Sequence, residues 1–225
     1  MRFSLRFSGY AVDMIQGHTG AVLSACVTPD GQHKVTVSAD RTARVWLLAD
    51  GSLVRTLEGH TGAVLSACVT PDGQRLVTVS ADMTARVWLF VDGTLIHSLV
   101  GHTGTVLSAC VTPDGQHLVT ASADMTARVW LLANGTLVHS LEGHKDWVWA
   151  ACVTPDGKHL VTVSDDRTAR VWLLADGTLV HTRPVSLTLT LLPLSVRLAC
   201  RIAKHRQVGE RRPLPLCHRP ESTSS

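Results

Sequence analysis

Twelve histidines and six cysteines in 225 residues are the side chains with the most chemistry to offer, as metal ligands, bases or nucleophiles. Their spacing argues against all three roles. His18, His60, His102 and His144 recur at one fixed interval, and His97, His139 and His181 form a second row. His33, His117 and His159 form a third. Cys26, Cys68, Cys110 and Cys152 follow the same interval of 42 residues. A zinc site needs ligand pairs only about two to five residues apart, and within any one of these rows successive members stand at least 42 residues apart. One cysteine per repeating position reads instead as a small buried side chain in equivalent strands, a free thiol in a reducing compartment. No phosphate-cradling glycine loop or nucleophile elbow is present. The expectation is therefore no metal, no cofactor and no catalysis.

The interval that spaces these residues organises the chain. Residues 59–100 and 101–142 match at 34 of 42 positions without insertion or deletion. A Gly-His pair opens each unit, at Gly17-His18, Gly59-His60, Gly101-His102 and Gly143-His144. A period between about 20 and 50 residues marks a repeat architecture. The repeats divide the chain into residues 17–58, 59–100, 101–142 and 143–183, flanked by 1–16 and by a divergent basic tail, 184–225.

Turns partition each unit. Pro-Asp-Gly falls at 29–31, 71–73, 113–115 and 155–157, and Asp-Gly or Asn-Gly at 50–51, 92–93, 134–135 and 176–177. Such pairs supply the positive φ that tight hairpins need. The runs between them are short and rich in β-branched and apolar residues, leaving no room for an ordinary helix. Each unit therefore makes four antiparallel strands, a to d, predicted in the second unit at 64–70, 76–80, 84–90 and 95–99. Strands a to c are apolar on both faces, so neighbouring sheets must cover them on both sides. Small sheets stacked around an axis, a β-propeller, meet that need.

These motifs resemble those of the WD-repeat (WD40) family: Gly-His, Pro-Asp-Gly, Ser-x-Asp-x-Thr, then a strand ending in Trp. The resemblance covers residues 17–183. It departs from the family in one respect, since Trp46, Trp88, Trp130 and Trp172 are each followed by Leu rather than Asp. The resemblance implies a hydrogen-bonded network within each blade. It would comprise His18, Ser38, Asp40 and Trp46; His60, Ser80, Asp82 and Trp88; His102, Ser122, Asp124 and Trp130; and His144, Ser164, Asp166 and Trp172. A buried indole N–H needs an acceptor, a hydroxyl can relay, and a carboxylate fixes the imidazole tautomer. The same residues suggest a Ser-His-Asp triad, but a set repeated four times is explained directly as a structural rivet.

The flanks leave two arrangements open. Residues 2–16 align with strands c and d of a blade, and Ser186–Leu192 and Leu194–Cys200 have strand-like patterns. Together they would make one composite blade beside four full ones. In the other arrangement the chain is a fragment or an unusual oligomer, because the tail keeps no Gly-His, Pro-Asp-Gly or Trp. Beyond Glu210 the composition predicts disorder. The formal charge of +3 conceals an excess of +5 in the tail, so residues 1–183 carry about −2 and the repeats make no nucleic-acid surface. No apolar run is long enough to span a membrane, and the first residues make a poor signal peptide, so cytosol or nucleus is expected.

The resemblance implies a scaffold for protein or peptide partners, with self-association if the propeller is incomplete. An alternative is a sensor array belonging to a larger signalling ATPase-type protein. Contacts are expected where units differ on the face bearing the b–c and d–a loops. In the b–c turn the varying residue is Arg41, Met83, Met125 or Arg167. In the d–a loop, unit four has Lys145, Asp146 and Trp147 in place of Thr-Gly-Ala or Thr-Gly-Thr. Trp147 either anchors a partner or covers a blade end. Trp149, which replaces Leu23, Leu65 and Leu107, is expected in the core. Met83 and Met125 offer an adaptable apolar patch. Lys34 replaces Leu76, Leu118 and Leu160, which predicts a less buried flank on the first unit.

Overall fold

The computed structural model describes residues 17–184. Every strand there is bounded by the turns the repeat supplies. Blade 1 comprises β1 (Val22–Val27), β2 (His33–Ser38), β3 (Ala43–Leu47) and β4 (Leu53–Leu57). Blade 2 comprises β5 (Val64–Val69), β6 (Arg75–Ser80), β7 (Ala85–Leu89) and β8 (Leu95–Leu99). Blade 3 follows with β9 (Val106–Val111), β10 (His117–Ser122), β11 (Ala127–Leu131) and β12 (Leu137–Leu141). Blade 4 is β13 (Val148–Val153), β14 (His159–Ser164), β15 (Thr168–Leu173) and β16 (Leu179–Pro184). Each blade is one antiparallel sheet with strands paired in chain order, and no helix occurs among the described residues. The fold is all-β, of β-propeller type. The composite blade expected from residues 2–16 and 186–200 lies outside the described residues.

The turns carry their own hydrogen bonds. In the a–b turn of blade 1 the Gly31 N–H donates to the Thr28 carbonyl at 2.9 Å, and the Gln32 N–H to Asp30 Oδ1 at 2.9 Å. Thr28 donates its hydroxyl to the same carboxylate oxygen. The three other blades repeat this arrangement.

Blades stack so that one face of each meets the opposite face of the next. Val35, Val37, Ala43, Val45 and Leu57 of blade 1 form one buried cluster with Val64, Ala67, Leu76 and Trp88 of blade 2. Equivalent residues join blade 2 to blade 3 and blade 3 to blade 4. The same sequence positions thus recur as two complementary surfaces. One is built on Leu57, Leu99 and Leu141, the other on Leu76, Leu118, Leu160 and the Trp row.

A bulge interrupts the first strand of every blade. In blade 4, Val148 pairs with Ser164 and Ala150 with Val163, which leaves Trp149 without a partner in the ladder. Leu23, Leu65 and Leu107 hold the same position. An unpaired bulge residue bends the strand and re-aims its side chain.

Candidate functional site

Each blade contains one hydrogen-bonded chain running from carboxylate to indole. In blade 2, His60 Nδ1 lies 2.8 Å from Asp82 Oδ2, and His60 Nε2 lies 2.9 Å from Thr78 Oγ1. The Trp88 Nε1–H donates to the same Thr78 oxygen at 2.8 Å. Blades 1, 3 and 4 repeat it through Thr36, Thr120 and Thr162. The relay hydroxyl is therefore this threonine, which corrects the expectation that Ser38, Ser80, Ser122 and Ser164 hold that place. Both residues lie on the second strand and are buried in blades 2 to 4, but the threonine lies two residues deeper, level with the imidazole. The serine sits at the strand end and serves the turn. Ser80 accepts the Asp82 N–H at 3.1 Å and donates to the Gly62 carbonyl at 3.1 Å.

The hydrogen-bond partners are all served by a neutral ring. An indole N–H can only donate, so the threonine oxygen accepts from it and keeps its own proton for imidazole Nε2. His Nδ1–H then donates to the aspartate, and a neutral ring satisfies every partner. His60 and His144 are held below the ordinary imidazole value of 6.5, chiefly because burial penalises the charged ring; Asp82 and Asp166 offset this only in part. Burial by itself would raise Asp82. Hydrogen bonds from Thr84, His60 and the Thr61 N–H outweigh it and bring the carboxyl down to about 2. Asp40, Asp124 and Asp166 are likewise lowered against the same burial. With both ring nitrogens engaged, these histidines have no free atom to act as a base. The geometry is that of a rivet between the d–a loop and the sheet.

The glycine before the histidine of blades 2 to 4 has a local cause. Gly59 has φ 132°, and a Cβ there would collide with the Arg86 guanidinium. That arginine lies over the Trp88 ring, 5.9 Å from its centroid.

The variable residues occupy the face bearing the b–c turns and d–a loops. Arg41, Met83, Met125 and Arg167 are the third residues of equivalent turns, one per blade, and all four adopt left-handed φ between 62° and 71°. All four are exposed. Lys145, Asp146 and Trp147 are exposed in the d–a loop of blade 4. The Asp165 N–H donates to the Trp147 carbonyl at 3.0 Å, and Ser164 Oγ donates to the Asp146 carbonyl at 2.9 Å, so the loop and the b–c turn of this blade form one unit. No such bond links that unit to Arg41, Met83 or Met125, which belong to the turns of other blades.

Trp149 is not in the core. It is 38% exposed, Trp147 is 46% exposed, and their rings meet edge to face with centroids 5.6 Å apart. The bulge is the reason: residue 149 has no partner in the ladder, so a position that carries leucine in blades 1 to 3 is turned out of the packed face. Asp165 is a further member of this surface. It stands where blades 1 to 3 have Ala39, Ala81 and Ala123, the same kind of unit-four difference that marks Trp147.

Among the described residues no three His, Cys, Asp or Glu side chains are grouped to hold a metal ion. None of the described residues forms a helix long and apolar enough to cross a membrane. None of the four described cysteines is in a disulfide, and burial raises Cys26 to about 11 and Cys68 to about 12.

The model for the WD40 family (WD domain, G-beta repeat) matches residues 9–46, 51–88, 93–130 and 135–172. The chain belongs to the WD-repeat family. Each matched segment ends on the tryptophan of the rivet, so the family unit runs from the last strand of one blade through the third strand of the next. Domains of this family generally serve as protein-interaction scaffolds and are typically non-catalytic. Comparison with curated proteins finds no match.

Proposed function

We propose that this protein is a non-catalytic scaffold that captures a protein or peptide partner on the blade 4 end of the loop face, with Trp147 as the anchor. The observation that carries this reading is the exposed Trp147–Trp149 pair within a rim of charges, Lys145, Asp146, Asp165 and Arg167. Aromatic residues at the centre of a charged rim are the usual composition of an interface hot spot. Trp147 keeps its place through its backbone, so its ring can engage a partner without the blade rearranging. Met83 and Met125, each 45% exposed, extend the face with adaptable apolar contacts. Thiols kept out of disulfides among the described residues support residence in a reducing compartment, cytosol or nucleus.

The test is a comparison of partners retained by the wild-type protein and by Trp147→Ala and Trp149→Ala, with thermal unfolding as the control for fold. Both variants are expected to keep the wild-type Tm within about 2 °C and to lose the partner, a hot-spot truncation costing about 2 kcal/mol or more in binding. Unchanged retention by Trp147→Ala would refute the anchor.

A further inference from the structure

Unit four departs from the other three at neighbouring positions of one surface. Trp147 replaces Ala21, Ala63 and Thr105, and Trp149 replaces three leucines; Asp146 replaces three glycines and Asp165 three alanines. Val148 pairs with Ser164, and the Asp165 N–H bonds to the Trp147 carbonyl, so residues 147 and 165 continue that register and stand opposite each other. Side chains at opposite positions share a face, with Cβ atoms about 5 Å apart. The Asp165 carboxylate therefore stands beside the Trp147 ring. The two indole planes meet at 61° with centroids 5.6 Å apart, and both rings are exposed. They leave a corner with π-surface on two sides and a carboxylate at its edge.

The groups of this corner are not satisfied from within. Ion pairs among the described residues all join a histidine to an aspartate, so neither Asp146 nor Asp165 pairs with Lys145 or Arg167. The cations that stack on indoles among the described residues are Lys34, Arg86 and Arg170, each 5.9 Å from the centroid of a rivet tryptophan. Lys145 and Arg167 stack on neither Trp147 nor Trp149. A cation over an indole is thus a contact the chain builds elsewhere, while here the indole faces are left open. An anionic ligand would meet Asp146, Asp165 and Asp166, which outnumber Lys145 and Arg167.

We infer that the corner formed by Trp147, Trp149 and Asp165 binds a cationic side chain, the ammonium or guanidinium of a lysine or arginine in the partner. The corner is the anchor proposed for the partner, and the assignment of its ligand rests on that proposal. The indole faces attract the charge through the ring quadrupole, and Asp165 accepts hydrogen bonds from the cation's N–H groups.

Blocked pentapeptides Gly-Gly-X-Gly-Gly, with arginine, lysine, trimethyl-lysine or norleucine at X, are the probes for the full-length protein. Binding is read from the indole N–H resonances of Trp147 and Trp149, assigned with Trp147→Phe and Trp149→Phe. The charged peptides are expected to bind at least about 5-fold more tightly than norleucine, which keeps the lysine stem without its charge, and to weaken at about 1 M salt. Trimethyl-lysine has no N–H to donate, so a preference for it over lysine assigns the corner to a methylated ammonium, and the reverse preference to lysine or arginine. Asp165→Ala, which restores the residue of blades 1 to 3, should weaken the charged peptides about 5-fold and leave norleucine unchanged, with circular dichroism as the check on fold. Norleucine binding as tightly as the charged peptides, charged peptides indifferent to Asp165→Ala, or no shift of either indole at about 10 mM peptide would each overturn the assignment. Loss of the protein partner by Trp147→Ala together with any of these results leaves the anchor standing and removes only the cation. Retention of the partner by Trp147→Ala removes the anchor, whichever peptide binds.

Discussion

Strands β1 and β5 have the same sequence, Val-Leu-Ser-Ala-Cys-Val, and the same bulge, yet different surroundings. Val22 opens β1 and is 55% exposed; Val64 opens β5 and is 0% exposed. Local sequence and backbone being equal, the difference comes from the neighbour. Blade 1 lies against Val64, and no described blade lies against Val22. Burial in this protein is a property of stacking, and the energetic worth of a residue depends on which blade holds it.

The largest way to sharpen this comparison is to move the blade 1 residue into blade 2. Leu76→Lys puts an unpaired charge into a fully packed cluster and is expected to lower unfolding stability by about 3 kcal/mol or more in urea titration. A loss below about 1 kcal/mol would mean that the blade 1–blade 2 interface is not closely packed. The next effect is smaller and more direct. Val64→Ala should cost about 1.5 kcal/mol and Val22→Ala less than about 0.5 kcal/mol, although the two substitutions are made in identical hexapeptides. Equal costs would break the comparison.

The smallest effect is one of pH and belongs to a feature the blades share. The lowered values of His60 and His144 mean that the native protein binds fewer protons than the unfolded chain below about pH 6.5. Stability is therefore complete above that pH and falls as pH drops. The lowered aspartates, Asp82 among them, act in the same direction below the ordinary carboxyl value of 3.8. Tm should be level from pH 8 to 7, decline between pH 6.5 and 5, and decline again below pH 4. A Tm unchanged from pH 7.5 to 4.5 would contradict a neutral imidazole in the rivet.

The strands and blades were legible in the sequence because the turns are written at fixed positions, and a strand between two turns has few alternatives. The partners inside the rivet were legible only in part. Thr36, Thr78, Thr120 and Thr162 recur as faithfully as the serines two residues on. Identity alone cannot say which hydroxyl stands level with the imidazole. Trp149 was misread for a different reason: a row of leucines reads as core, but the bulge takes that position out of the ladder, and a bulge leaves no mark in composition. Lys34 gave the opposite result, since one charge in a row of leucines correctly signalled an open flank. Asp165 was missed although its departure from a row of alanines is of the same kind as the one that singled out Trp147.

The bulge in each first strand also bears on how such an array diversifies. Residues 23, 65, 107 and 149 hold no place in the ladder, so a change there leaves the pairing of the sheet intact. Along the array these positions spell Leu, Leu, Leu, Trp. They form a short address, one letter per blade, that can be rewritten without redesigning the blades that carry it.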